Sequence, residues 1–259
     1  MAKPPPRLYI DAALTRDTEL SLTREHVHYL GTVLRLAKGA TVLAFNGQDG
    51  EWEGTLGEVS KKSASLHLKD QTRPPLPDTG AGPILFFAPL KRGPTDILVQ
   101  KATELGVREL RPVLTERTIA TRVATDRMAA IAIEAAEQCE RLDIPQMRMP
   151  QRLFDALDDM APESVVYADE WGSDATARWG GVEGRAPTIA SLAKDWPADR
   201  SPPRAIVIGP EGGFSEQERD ELRALPHVIS VGLGPRILKA ETAGIAALAL
   251  WQSAFGDLR

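Results

Sequence analysis

The first part of the chain, up to residue 72, carries its apolar residues in short runs. Residues 7–10, 41–45 and 64–68 are apolar or alternate between apolar and polar, which is the pattern of half-buried strands. Residues 23–36 instead space their apolar positions as a helix does. Several short strands with a single helix between them predict a small β-barrel.

Beyond residue 84 the pattern changes to strands that alternate with helices. Residues 84–88 and 165–168 are predicted to be buried strands, and residues 95–105 and 127–139 are predicted to be helices. Such alternation predicts an α/β domain with a largely parallel sheet. Residues 73–83, which are rich in proline and glycine, are predicted to link the two parts.

Three further stretches complete this prediction. Residues 110–114 have the composition of a strand interrupted by Pro112. Residues 171–204 are predicted to be a surface elaboration that contains a short helix at 188–194. The apolar residues 242–255 are predicted to form a final helix, placed in the core or at a dimer contact.

Two of the apolar strands end in glycine-rich turns. Residues 205–208 are followed by GPEGGFS at 209–215, and residues 228–231 are followed by GLGPRILKAETA at 232–243. Runs of β-branched residues that stop at glycine are typical of buried parallel strands, and open α/β sheets bind ligands at the C-terminal ends of such strands. We therefore expect both turns to lie in one binding site, where glycine lets the backbone approach a ligand.

The chemistry of the first turn argues against a phosphate ligand. Ser215 and Glu218 have the spacing of a capping box, so a helix should begin at Ser215, directly after the turn. The turn lacks the Lys-Ser/Thr pair of a Walker loop, Pro210 removes a backbone donor, and Glu211 would repel an anion. A ligand that is neutral or cationic at this point, carrying a ribose, an adenine or a sulfonium, fits better.

Composition narrows the class of protein without deciding its function. The chain has 259 residues, of which 42% are hydrophobic and 26% charged, as in globular proteins. It has no run long enough to span a membrane and no apolar signal segment, so we expect a cytoplasmic protein. With a single cysteine, Cys139, and four scattered histidines, neither a disulfide nor a metal site is expected.

The formal net charge of −5 does not exclude RNA as a partner. The acidic excess lies in residues 151–200, whereas acidic and basic residues balance in residues 1–72. Because net charge governs non-specific affinity rather than the presence of a local basic groove, the charge evidence is neutral on RNA.

The two glycine turns together resemble the C-terminal signature of a known family. GPEGGFS followed by LGPRILKAETA is similar to the paired motifs of the RsmE family, the 16S ribosomal RNA uridine-N3 methyltransferases of the SPOUT superfamily. The resemblance extends to Lys91, to KATELG at 101–106, to Glu116-Arg117 and to EQC at 137–139. It departs at Lys239, where the family usually has an arginine with its planar, two-pronged guanidinium.

This resemblance implies a fold, a cofactor and partners. The fold implied is α/β, a SPOUT-type parallel sheet with a C-terminal trefoil knot at 84–259, preceded by a small PUA-like RNA-binding β-barrel at 1–72 and the linker at 73–83. The cofactor implied is S-adenosyl-L-methionine. The partners implied are 16S ribosomal RNA or the small ribosomal subunit, and a second copy of the chain in a homodimer, with no membrane and no metal.

The same resemblance implies three sets of site residues. In the catalytic set, Arg7, Arg236 and Lys239 are candidates for a cation that stabilises the deprotonated N3 of uridine, and Glu241 either orients one of them or acts as a base. The residues expected to bind the cofactor are Gly209, Pro210, Glu211, Gly212, Gly213, Leu233, Gly234, Ile237, Leu238, Thr242 and Ala243. Those expected to bind RNA are Arg24, Arg35, Lys38, Lys61, Lys62 and Lys91.

Two readings from other functional classes stay open at this point. One is an RNA- or ribosome-binding protein with a catalytically inactive methyltransferase domain, which the lysine at position 239 allows. The other is a nucleotide-binding enzyme of ordinary doubly wound fold, which the glycine turns suggest and their spacing disfavours. Binding of S-adenosylmethionine, followed by an assay of methyl transfer to ribosomal RNA, separates all three.

Overall fold

The computed structural model describes residues 4–60, 63–76, 82–120, 122–160, 162–169 and 186–258. By its internal contacts the chain forms two compact units. The first comprises Met1–Thr79 and Ile133–Ile144, and the second comprises Gly80–Ala132 and Pro145–Arg259. Each unit has its own sheet and its own apolar core.

The first unit is built on five short strands within its described residues. They are β1 (Arg7–Tyr9), β2 (Glu19–Ser21), β3 (Thr41–Asn46), β4 (Gly50–Leu56) and β5 (Ser65–Arg73), and they form one sheet in the order β1-β3-β4-β5-β2. β1 is parallel to β3, while the other neighbours are antiparallel. The predicted strands are therefore present, and β5 extends through Arg73, the first residue of the predicted linker.

The helical stretch of the first unit is shorter than predicted. Helix α1 (Arg24–Val27) is followed by a π-helical segment, His28–Val33. Thr23 begins the helix because its hydroxyl oxygen accepts a hydrogen bond from the His26 amide at 3.2 Å. The chain leaves the helical conformation at Arg35, whose φ is 55°. Val27 and Leu30 nevertheless pack into the core of this unit, as the periodicity indicates.

The second unit contains an α/β sheet whose described strand pairs are all parallel. Its strands are β6 (Ile84–Phe87), β7 (Glu109–Leu114), β8 (Gln146–Met147), β9 (Gln151–Arg152), β10 (Val165–Ala168), β11 (Ala205–Ile208) and β12 (Val228–Val231). The order is β12-β10-β11-β6-β7-β8, and β9 also pairs with β7. The predicted parallel sheet is confirmed, with β6 and β11 fully buried at its centre.

Pro112 does not interrupt β7. The residues before it, Glu109 and Leu110, pair with β8, and the residues after it, Val113 and Leu114, pair with β9. The missing amide donor of proline therefore falls where β7 changes its partner on that side, which is a position that a sheet tolerates. The short elements β8 and β9 were not indicated by the sequence.

The described helices are α2 (Arg92–Glu104), α3 (Thr125–Gln138), α4 (Leu153–Asp158), α5 (Ile189–Lys194), α6 (Glu216–Ala224) and α7 (Ala240–Phe255). α6 begins as predicted, with a complete capping box between Ser215 and Glu218. α5 is the short helix predicted at 188–194, capped by Thr188, while the rest of the predicted elaboration up to residue 185 lies outside the described residues. α7 starts two residues before the predicted position, at Ala240. No described helix is long and apolar enough to cross a membrane.

Candidate cofactor site

Both glycine turns line one cavity of the second unit. β11 and β12 flank β10, and all three strands are parallel, so their C-terminal ends lie along one edge of the sheet. The cavity at this edge has a volume of about 550 Å³, a size typical of small-molecule sites. Its lining comes from the first turn (Gly209, Pro210, Glu211, Gly213 and Phe214) and from the second turn (the run 232–241 and Ala243), with Lys91, Pro94, Ile119, Ala168, Asp169 and Ile208 from neighbouring segments.

The lining contains the residues predicted to bind the cofactor, with two exceptions. Gly212 is not a lining residue, because its carbonyl faces the side chain of Arg117. Thr242 is not a lining residue either; it lies in the first turn of α7 with its side chain exposed. Contact of these two residues with the cofactor stays a prediction.

The glycines of the two turns serve different purposes. Gly213 and Gly234 have φ values of 66° and 101°, a region that residues with a side chain rarely adopt. At Gly209 a Cβ would come within 2.7 Å of the Phe214 ring, so this glycine allows the phenylalanine to pack beneath the turn. The structure thus gives two reasons for glycine here, backbone conformation and internal packing, and the expected close approach to a ligand stays a prediction.

The carboxylate of Glu211 is held by the backbone of a neighbouring segment. Its Oε1 accepts a hydrogen bond from the Lys91 amide at 3.0 Å, and Lys91 is the residue that precedes α2. A negative charge at this position is favourable because the N-terminus of a helix carries partial positive charge. Glu211 therefore connects the first glycine turn to α2 and fixes Lys91, which was predicted to bind RNA, at the cavity.

Three charged residues of the second turn also line the cavity. Arg236 and Lys239 are exposed, and within the described part of the chain neither forms a salt bridge. Lys239 directly precedes α7, whose first turn contains Glu241. The structure thus brings three of the four predicted catalytic residues to one wall of the cavity.

A buried carboxylate behind the cavity was missed by the sequence analysis. Asp169 directly follows β10, its side chain is fully buried, and its Oδ2 accepts hydrogen bonds from Nε and Nη2 of Arg223 at 3.0 and 2.8 Å. Burial lowers the pKa of Arg223, but the hydrogen bond and the charge of Asp169 outweigh this effect and raise the pKa. The Asp169 amide also donates to the carbonyl of Val231, which ties the ends of β10 and β12 together just before the second turn.

The apolar part of the lining was only partly foreseen. Phe214 is buried and packs edge-to-face on Tyr167, with 5.3 Å between ring centroids. Pro94 and Ile119 come from segments that follow β6 and β7, and Ile119 is 64% exposed. In the sequence, the available signal for this part of the lining was an isoleucine that lies after a predicted strand and outside every predicted helix.

Comparison with known proteins places the chain in a family. A family described as an RNA methyltransferase domain matches residues 83–252, and one described as an RNA methyltransferase PUA domain matches residues 22–69. A relative named ribosomal RNA small subunit methyltransferase E, from Rickettsia conorii, is 32% identical over 94% of this chain and 93% of its own length. The chain belongs to the ribosomal RNA small subunit methyltransferase E family. The resemblance drawn from the two glycine motifs is thereby confirmed.

Further members of the family are similar to this chain over most of its length. The Bacillus subtilis protein of the same name is 30% identical over 88% of this chain and 87% of its own. A crystal structure of the Neisseria gonorrhoeae ribosomal RNA small subunit methyltransferase E bound to S-adenosyl methionine superposes with a TM-score of 0.82, at 26% identity, covering 99% of this chain and 100% of that one. Membership of this family leaves no support for the doubly wound nucleotide enzyme.

Arg7, the fourth catalytic residue expected from the family signature, has a different environment. It lies in the first unit, is 8% exposed, and its Nε donates to Glu51 Oε2 at 2.7 Å. Nη1 donates to the carbonyls of Ala136 and Glu137, Nη2 donates to the carbonyl of Arg141, and the guanidinium stacks 4.2 Å from the centroid of the Phe45 ring. Because these groups occupy the guanidinium, we assign Arg7 a structural role, and Arg236 and Lys239 are the remaining candidates for the cation.

The described residues among those predicted to bind RNA belong to both units. Arg24, Arg35 and Lys38 are exposed in the first unit, and Lys38 forms a surface ion pair with Glu58 at 2.6 Å. Lys61 and Lys62 lie outside the described residues. Lys91 lines the cavity of the second unit. Contact of any of them with RNA stays a prediction.

Proposed function

We propose that this protein transfers a methyl group from S-adenosyl-L-methionine to N3 of a uridine in the 16S ribosomal RNA of the small ribosomal subunit. One observation carries the proposal: both signature turns of the family form a single cavity, and two cations without an acidic partner in the described structure line it. Relatives that share most of the chain carry the name of this activity.

The residues of the cavity fit this cofactor. Phe214, Leu233, Ile237 and Leu238 offer an apolar surface on which an adenine or a methionine chain can pack. The Glu211 carboxylate is held by an amide and the Asp169 carboxylate by Arg223, so each keeps its place beside the cavity. The Glu211 carboxylate has no cationic partner in the described structure, so at the first turn it favours a ligand with a sulfonium cation over a phosphate, whereas Arg223 compensates the charge of Asp169.

The residues of this chain have to activate the nucleophile, which is N3 of the uridine. The cofactor supplies, when bound, an electrophilic methyl group on its sulfonium. Uridine N3 lies on the Watson–Crick edge, so the base must be unpaired or flipped before this nitrogen is accessible. N3 is protonated at neutral pH, and a cation about 4 Å away at an effective dielectric of about 20 stabilises its anion by about 4 kcal/mol at most. That energy would lower the pKa of N3 by about 3.

Arg236 and Lys239 are positioned to provide this cation from the cavity wall. Glu241, in the first turn of α7, either orients one of these cations or accepts the N3 proton. The variant Glu241→Gln distinguishes these two roles. Its amide keeps a hydrogen-bonding group at this position but does not accept the N3 proton.

The architecture and setting that the family signature implies belong to the same proposal. Residues 1–72 form an RNA-binding barrel joined by the linker 73–83 to a SPOUT domain at 84–259, whose C-terminal segment passes through a trefoil knot. The exposed Arg24 and Arg35 support RNA binding by the first domain, since such side chains contact phosphates without reading sequence. The protein acts in the cytoplasm as a homodimer, without a metal.

The proposal is tested by two measurements on the full chain. Calorimetry should show binding of S-adenosylmethionine, and incubation with 16S ribosomal RNA or small subunits should give a methylated uridine that mass spectrometry of RNA fragments locates at N3. Absence of cofactor binding would contradict the proposal. Binding without methyl transfer to either substrate would instead support an inactive, RNA-binding member of the family, the alternative raised by Lys239.

We expect Lys239→Met to slow methyl transfer at least tenfold while leaving the affinity for the cofactor within about twofold. Methionine keeps the length of the side chain and removes its charge, and a loss of about 1.4 kcal/mol of transition-state stabilisation already corresponds to tenfold. Single-turnover rates at saturating RNA are the quantity to measure, because they separate the chemical step from RNA binding.

Lys239→Arg is the matched control for this prediction. It keeps the charge and restores the residue usual in the family, so it should retain most of the rate. An unchanged single-turnover rate in Lys239→Met would show that Lys239 is not the cation, and Arg236 would then be the remaining candidate at the cavity.

A further inference from the structure

We propose that Arg117 is a positioning residue for the cofactor site, where it fixes the orientation of a peptide group in the first glycine turn. Arg117 lies in the segment that follows β7 and is not itself a lining residue of the cavity. Its Nη1 donates a hydrogen bond to the carbonyl of Gly212 at 3.1 Å and a longer one to the carbonyl of Phe214 at 3.4 Å. This inference rests on the proposed function of the cavity.

The peptide between Gly212 and Gly213 needs a group that selects its orientation. Neither residue has a Cβ, so rotation of this peptide plane meets less steric resistance than rotation between residues with side chains. In the structure its N–H donates to the carbonyl of Pro210 at 2.9 Å, and its carbonyl accepts from Arg117. Arg117 therefore holds one of the two polar ends of the peptide, and the turn itself holds the other.

The orientation of this peptide bears directly on the cavity. Gly213 lines the cavity with a φ of 66°, whereas Gly212 directs its carbonyl towards Arg117 and is not a lining residue. Rotation of the peptide would change φ at Gly213 and turn the carbonyl away from Arg117. The backbone surface presented to a cofactor at Gly213 would then be different.

Arg117 can be replaced without disturbing the segment that carries it. The neighbouring Glu116 amide donates to Glu218 Oε1 at 2.7 Å, and Glu218 also caps α6 through the Ser215 amide. Thr115 and Thr118 close the same segment through a hydrogen bond between the Thr115 amide and the Thr118 hydroxyl at 2.9 Å. These contacts remain when the guanidinium is removed, and the Arg117 side chain is exposed, so little stability depends on it.

The test is the affinity of Arg117→Gln for S-adenosylmethionine, measured by calorimetry on the full chain. We expect a dissociation constant about tenfold higher, a KM for the cofactor raised by a similar factor, and a kcat at saturating cofactor within about twofold of the original. The melting temperature of the ligand-free variant should be unchanged. A purely structural role would lower the melting temperature and reduce kcat and affinity together.

Arg219→Gln is a matched control, because Arg219 Nη1 donates to the same Phe214 carbonyl at 3.3 Å without a described contact to Gly212. Its affinity should stay within about twofold. Arg117→Lys should recover most of the affinity, since one nitrogen of Arg117 makes both contacts and an ammonium group can replace it.

The outcomes separate this inference from the proposed function. If the unmodified protein does not bind S-adenosylmethionine, the proposed function itself fails. If it binds and Arg117→Gln binds equally well, the positioning role alone is overturned. An equal loss in Arg219→Gln would also overturn it, because the effect would then arise from the Phe214 carbonyl rather than from the peptide at Gly212.

Discussion

Replacing Arg7 by methionine should lower the free energy of local unfolding of the first unit by about 3 to 5 kcal/mol. The Glu51 carboxylate, 5% exposed, would lose the guanidinium that now donates to it at 2.7 Å and would stay buried with only the Thr72 hydroxyl and the Arg73 guanidinium, 3.9 Å away, as partners. Three carbonyls between residues 136 and 141 would each lose one donor at the same time, although the Ala136 carbonyl keeps the Arg141 amide. Each such loss adds a desolvation cost, because burial without a partner is unfavourable for a polar group.

Hydrogen exchange of peptides from β3 and β4 measures the free energy of local unfolding of the first unit. A local measurement is needed because a chain of two units need not unfold in one step. A loss of about 3 kcal/mol or more corresponds to over a hundredfold less protection. Arg73→Met is the matched control: Arg73 Nη1 is 3.9 Å from the same Glu51 and its side chain is 42% exposed, so its removal should cost less than about 1 kcal/mol.

A second change in the same protein identifies the source of the instability. If the buried Glu51 carboxylate is the main source of the loss, adding Glu51→Gln to Arg7→Met should recover much of the lost protection, because the buried charge is gone. Full protection in Arg7→Met together with loss of methyl transfer would contradict the structural role and return Arg7 to the catalytic set.

Gly213→Val should reduce the affinity for S-adenosylmethionine at least a hundredfold while the protein remains folded. Gly213 has a φ of 66°, and a β-branched residue is strongly disfavoured there. Relief of this strain requires the turn to change shape, which would break the hydrogen bond from the Gly213 amide to Pro210 and displace the lining residues on either side. Calorimetry gives the affinity, and circular dichroism with a melting curve shows that the variant is folded.

The neighbouring glycine provides the control. Gly212 does not have a positive φ, and the nearest atoms to an added Cβ are side-chain carbons of Arg117 at 3.7 Å, an ordinary contact. Gly212→Ala should therefore change the affinity by less than about threefold. Unchanged affinity in a folded Gly213→Val protein would show that this turn does not form the cofactor site.

Local pattern was sufficient for most of the strands, for several helix ends and for the convergence of the two glycine turns on one cavity. The β-branched runs of β11 and β12 end at glycine, and the structure brings both turns to one edge of a parallel sheet because parallel strands align their C-terminal ends. The capping box at Ser215 and the cap at Thr188 are encoded within four residues, so the starts of α6 and α5 follow from the sequence.

The sequence could not assign roles to charged side chains, and here the tertiary structure corrected or extended the expectations. Arg7 and Glu51 are 44 residues apart, and the carbonyls that Arg7 contacts lie about 130 residues further along the chain. Glu211 reaches the backbone of Lys91, 120 residues away, and Arg117 reaches Gly212 over 95 residues. None of these pairs has a fixed spacing that a pattern could reveal.

This difference between the predicted backbone elements and the unpredicted contacts of charged side chains has a physical cause. Hydrophobic periodicity, capping and turn chemistry depend on residues that are close together in the chain, so the parallel sheet, the glycine turns and the family signature could be predicted from the sequence. A guanidinium or carboxylate instead acts through whichever partner the fold brings within about 3 Å. The three-dimensional structure was needed to show that Arg7 pairs with Glu51 in the first unit, that Glu211 and Arg117 contact the first turn and its neighbours, and that Lys239 and Arg236 are exposed at the cavity.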